Sequence, residues 1–174
     1  NNNYGTVGSN GTADNKNAKV DGNYGTVETN YGTVETNRGT VETNNGRIVT
    51  NYGTVETNNG RIVTNYDTVE TNNGTVGVNV GTVKTNNGTV DFNQEGTVET
   101  NSSTGTVTTN SGTVTTNMGS VTTNESTGIV SSNGTAEYNG GTVETNNGTV
   151  ADNYGTVSYN GTADGKTGTV GTNY

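Results

Sequence analysis

Four carboxylates recur at a fixed interval: Glu28, Glu42, Glu56 and Glu70, each fourteen residues after the last. If residues fourteen apart lie side by side, they make a ladder of hard oxygen ligands, the chemistry that holds Ca2+. Paired carboxylates also do general acid–base work in glycoside hydrolysis. The plainer reading is a solvated face that keeps a sheet from aggregating. No DxDxDG or GGxGxD loop accompanies them, and no pair stands apart from the repetition. Neither a cofactor nor a catalytic centre is therefore expected.

Other residue types recur in the same way. Tyr24, Arg38, Tyr52, Tyr66 and Val80 form one series at fourteen-residue spacing, and Asn45, Asn59, Asn73 and Asn87 form another. Stacked tyrosines could meet sugars or a neighbouring molecule, with Arg38 over Tyr24 and Tyr52 as a cation–π partner. Thr106/Thr108, Thr113/Thr115 and Ser120/Thr122 place hydroxyls outward in the manner of ice-binding faces, but most copies carry Thr-x-Glu instead. Asn-Gly-Thr sequons at Asn73, Asn87 and Asn147 arise automatically from the repeat. In NNGRIVTNYGTVETNNGRIVT, Val49 and Val63 would both face outward one coil apart, beside Arg47 and Arg61. With Tyr24, Tyr52 and Tyr66, these two valines are the candidates for lateral contact.

Composition narrows the chemistry further. The chain has no Cys, His, Pro, Trp or Leu, which removes thiol nucleophiles, imidazole bases, disulfides and ordinary zinc or haem sites. Seven basic residues against sixteen acidic ones make a nucleic-acid partner unexpected. No apolar run approaches a membrane span.

These residues are positioned by a heptad, N-x-G-T-V-x-T. Val27, Val34, Val41, Ile48, Val55, Ile62, Val69, Val76, Val83 and Val90 occupy its apolar place without a slip, and they form the expected core ladder. Counting degenerate copies, including Ala versions at Ala13, Ala136 and Ala163, gives 24 modules in one continuous domain, 1–174. A coiled coil would need two apolar positions per heptad and helix formers between them. Thr-Val-x-Thr instead favours a short strand of about four residues, and Asn-x-Gly a corner in which Gly can take positive φ. Strict alternation would send Val27 and Thr29 inward and Thr26 and Glu28 outward.

One such strand cannot bury its valine alone, so coils must stack into an all-β solenoid of in-register parallel strands. The fourteen-residue matches favour two modules per coil, hence twelve coils and a rod of roughly 57 Å. The alternative is a three-sided coil of 21 residues. It draws on the likeness of NYGTVGSNGTAD near the start to NYGTVSYNGTAD near the end, copies 21 modules apart. Val and Thr would fill that larger interior poorly.

Runs such as NYGTVETNYGTVETN resemble the Asn/Gly/Thr repeats of bacterial secreted and cell-surface β-solenoids, including adhesin stalks and extracellular fibres. The resemblance covers nearly the whole chain. It implies an extracellular or cell-surface location and a scaffold or adhesive role, with no catalytic residues to carry over. The chain starts at Asn1 and stays in phase at both ends, so it reads as a slice of a longer solenoid or as a unit that stacks head to tail. The expected function is a fibre subunit whose partner is itself. A solenoid that binds glycans, cations or ice is the alternative.

Overall fold

A computed structural model describes residues 1–138, 140–161 and 167–174. Twenty-two strands alternate between two parallel sheets of eleven. They open with β1 (Asn2–Asn3), β2 (Thr6–Asn10), β3 (Lys19–Asn23) and β4 (Thr26–Asn30), and close with β20 (Thr149–Asn153), β21 (Thr156–Asn160) and β22 (Thr169–Asn173). Odd strands form one sheet and even strands the other, so each coil crosses both. Val27 pairs with Val41, and Ile48 with Ile62. The step is fourteen residues, and the fold is a two-sided β-solenoid of about ten coils. The three-sided alternative is overturned, because a triangular coil needs three sheets and a step of 21.

Three details differ from the sequence reading. The Ala copies are not strands. Ala13 and Ala136 are exposed and lie in excursions between strands, each closed by paired backbone bonds between Thr12 and Asn15 and between Thr135 and Tyr138. Ala163 lies outside the described residues. An Ala cannot supply the buried volume that a Val supplies, so those segments leave the stack. The rod is therefore ten steps, roughly 48 Å, rather than 57 Å. The likeness of the two NGTAD segments carries no stacking meaning either, since they follow β2 in the even sheet and β21 in the odd sheet.

The strands run five residues, not four, and the fifth is Asn. Val27 is fully buried, Glu28 exposed, Thr29 half-exposed and Asn30 fully buried. Simple alternation fails at the strand's end because the chain must reverse there. The bend rolls Asn30 inward and Thr29 outward. The core is thus a Val or Ile column flanked by an Asn column in each sheet. Each fully buried Val contributes on the order of 1.5–3 kcal/mol relative to an exposed one.

The corner glycine is required for a different reason from the one expected. Among the described residues only Gly11, Gly134 and Gly161 have positive φ, and all three belong to the NGTA copies. In the regular corners a Cβ would strike the backbone of the coil below: at Gly39 it would overlap the carbonyl oxygen of Gly25, and at Gly60 that of Gly46. Corner stacks directly on corner, and only hydrogen fits between. Two corners depart from the rule: exposed Asp67 takes the glycine's place in one, and Ala18 in the corner before β3, beneath Gly32. Gly5 has nothing within 4 Å of the corresponding position. We expect Gly60→Ala to lose about 1–3 kcal/mol in urea denaturation while Gly5→Ala loses far less. Equal losses at the two sites would refute the close-approach account.

Candidate functional site: side-chain ladders along a rod

Because every coil repeats the last, each side-chain position becomes a column. The most constrained column is the buried Asn at the end of each strand. From Asn23 through Asn146, each interior Asn is 0% exposed. In the even sheet Asn30 donates its Nδ2 to Asn44 Oδ1 at 2.7 Å, Asn44 to Asn58 at 2.7 Å, and Asn58 to Asn72 at 2.7 Å. The odd sheet repeats this through Asn23, Asn37 and Asn51. The amide's second hydrogen points to backbone. Asn30 reaches the carbonyl of Gly32 in its own corner (3.2 Å) and that of Arg47 in the next coil (3.3 Å). Each Asn therefore ties its corner, its own sheet and the facing sheet together. Asn does this because it alone pairs a short stem with one acceptor and two donors. The sequence signal was the invariant Asn before each corner, which reads equally well as turn chemistry.

The expected core residues Val27, Val34, Val41, Ile48, Val55, Ile62, Val69, Val76, Val83 and Val90 are all 0% exposed and form one cluster. The two edges of the rod differ as the fourteen-residue series implied. On one edge Asn59 donates to Asn45 (3.0 Å), Asn73 to Asn59 (3.0 Å) and Asn87 to Asn73 (2.9 Å), and Ser102 extends the row to Asn87. The Asn73 and Asn87 amides are thus occupied, and Asn147 is buried.

The other edge is aromatic. Tyr4 and Tyr24 stack with centroids 5.0 Å apart, and Tyr52 and Tyr66 at 4.9 Å. Arg38 sits between the pairs, its guanidinium 5.5 Å from the ring centres of both Tyr24 and Tyr52, and it donates to the Tyr24 hydroxyl at 3.2 Å. Face-to-face stacking along the rod turns ring edges outward. A sugar needs a ring face, and both faces of Tyr24 and of Tyr52 are taken by neighbours in the column. Near the far end Tyr154 stacks on Tyr174 at 4.1 Å, on the opposite edge. Their hydrogen bond, helped by partial desolvation, holds the Tyr154 phenol above its usual pKa.

Glu28, Glu42, Glu56 and Glu70 stand on the outer face of the even sheet, with Lys84 next in the column. Lys84 Nζ lies 2.8 Å from Glu70 Oε1, a contact that raises the lysine's pKa. Among the described residues no three acidic side chains, or His or Cys, converge to hold a metal ion. A column on an open face spreads its carboxylates along a line instead of closing them around a point. Val49 and Val63 lie half-exposed on the odd sheet's outer face beside exposed Arg47 and Arg61. Thr106/Thr108 and Ser120/Thr122 are neighbours on the odd sheet, whereas Thr113/Thr115 lies on the even sheet, so the Thr-x-Thr face is two strands wide, between Asp91 and Glu144.

No protein-family model, curated protein or solved structure matches the chain. The chain is a repetitive β-solenoid with internal Asn ladders. Among the described residues no helix is long and apolar enough to cross a membrane.

The ladder makes a pH-signed prediction. Asn58→Ala leaves Asn44 without an acceptor and Asn72 without a donor inside the rod, and should cost about 3–5 kcal/mol. Asn58→Asp buries a carboxyl whose ionised form has no donors to offer Asn72. Burial raises its folded-state pKa above the unfolded value, so the folded state binds more protons. Stability of that variant should be highest at low pH and fall as pH rises above about 4. Melting curves across pH test this, and a flat or rising profile would contradict the ladder's dry interior.

Proposed function

We propose that this chain is a structural rod, a subunit or segment of an extracellular filament that lengthens by adding coils end to end. One observation supports the reading: the Val and Asn columns pass through every described coil at a fixed in-register step, so a further coil would continue them. Asn153 donates to Asn173 (2.6 Å) and Asn146 to Asn160 (2.8 Å), after which the amides of Asn160 and Asn173 face an open end groove shared with Val157 and Val170. At the other end Asn3 and Asn10 donate inward, to Asn23 and Asn30 at 2.7 Å. One end thus offers amide donors and the other carbonyl acceptors. A following coil of the same chain, or the first coil of another copy, would continue the same ladder.

Such a contact is heterologous and does not close, which is the geometry of open filaments. The resemblance to secreted and cell-surface Asn/Gly/Thr solenoids supports an extracellular place for it, and the role needs no catalytic residue. A glycan-binding role is less favoured, because both ring faces of Tyr24 and Tyr52 are covered within the column.

Electron microscopy of the purified chain should show rods longer than the roughly 48 Å of one copy. Val170→Lys, which places a charge in the terminal coil, should confine them to single length. Isolated short rods of the parent chain at every concentration and ionic strength would defeat the proposal.

A further inference from the structure

Over two adjacent coils the broad faces of the rod carry complementary charge at identical spacing, bounded on the odd face by Glu35, which Lys19 engages, and by Asp91 further along. In the odd sheet, the strands Arg47–Asn51 and Arg61–Asn65 present Arg47 and Arg61 one coil apart, with no acidic residue in either strand. Among the described residues neither guanidinium has an ion-pair partner. Beside them lie Val49 and Val63, half-exposed, and Gly77 in the next coil has no side chain to shield Val63. Val78 and Phe92, paired one coil apart, extend this apolar surface along the same sheet. The even sheet presents Glu28, Glu42 and Glu56 as exposed carboxylates with no ion pair among the described residues, while Glu70 is engaged by Lys84.

We propose that the odd-sheet face around Arg47, Val49, Arg61 and Val63 docks on the Glu column of a second copy of this chain. The repeat makes the fit multivalent. Both columns advance by one coil per residue, at about 4.8 Å, so a match at one level is a match at the next. Two Arg meet two Glu, and the half-exposed valines cover the methyl-bearing Thr rows that flank the Glu column. Val49 and Val63 stand where the coil before carries Glu35, and a Glu at either place would repel the facing column. A contact between unlike faces leaves one free face of each kind on every pair. It therefore propagates into a ribbon one rod thick instead of closing as a dimer. This contact is independent of end-to-end growth, which changes length and not width.

A charge swap tests it. The cross-section of the parent chain, measured by small-angle scattering at low salt, should grow with concentration. It should shrink back to one rod near 1 M salt, where the Debye length is about 3 Å. Arg47→Glu/Arg61→Glu and Glu42→Arg/Glu56→Arg should each stay one rod wide, raising the concentration for widening at least about tenfold. Both alter exposed side chains only, and circular dichroism checks that each folds. Mixing the two variants restores opposite charge at every contact and should restore widening. Widening of either variant alone like the parent, failure of the mixture, or a parent that lengthens without widening would overturn the proposal. The last outcome would leave end-to-end growth standing, whereas widening without lengthening would do the reverse.

Discussion

A primary amide sealed away from water must find two acceptors and a donor, and the geometry of this rod follows from that demand. Each buried Asn meets it only if an identical Asn sits one coil above and another one coil below. In-register stacking is therefore a condition of the interior being dry at all. A slip by one residue would strand every amide in the column, at about 1–3 kcal/mol for each group left unpaired. The Val columns are tolerant by comparison. Ile48 and Ile62 replace Val without disturbing the register around them.

The corner glycines serve the same constraint from outside. Coils separated by strand spacing bring corner backbone onto corner backbone, and a Cβ at Gly39 or Gly60 would force them apart. That separation would stretch the amide ladder next to it. Insertions survive because they leave the plane of contact. The residues added before Gly96, Gly105 and Gly128 bulge outward, yet Asn93 still donates to Asn110 and Asn101 to Asn117 at 2.7 Å. Chain length between strands varies while the ladder does not.

Much of this could be read from the chain itself, because a period of seven hiding a period of fourteen is already a statement about which residues touch. Ile48 on Ile62, Arg38 between Tyr24 and Tyr52, and the Asn45–Asn87 row all follow from that count. What sequence could not separate were two uses of one residue. Asn before a corner and Gly within it are ordinary turn chemistry, and nothing local distinguishes a turn Asn from one buried as a rung. Likewise Ala13 and Ala136 fit the written motif. Only volume, a property of the filled core, ejects them. The outward faces were legible as columns, but their pairing across molecules depends on which sheet each occupies, and that required the fold.

Fourteen residues are held in about 4.8 Å of rod, whereas the same residues drawn straight would span roughly 46–50 Å. Each coil touches only its two neighbours, so tension on the ends would release coils singly, the outermost first. The molecule is in that sense a spool. It stores about ten times its own length as slack, paid out under load while the unspent coils keep their shape.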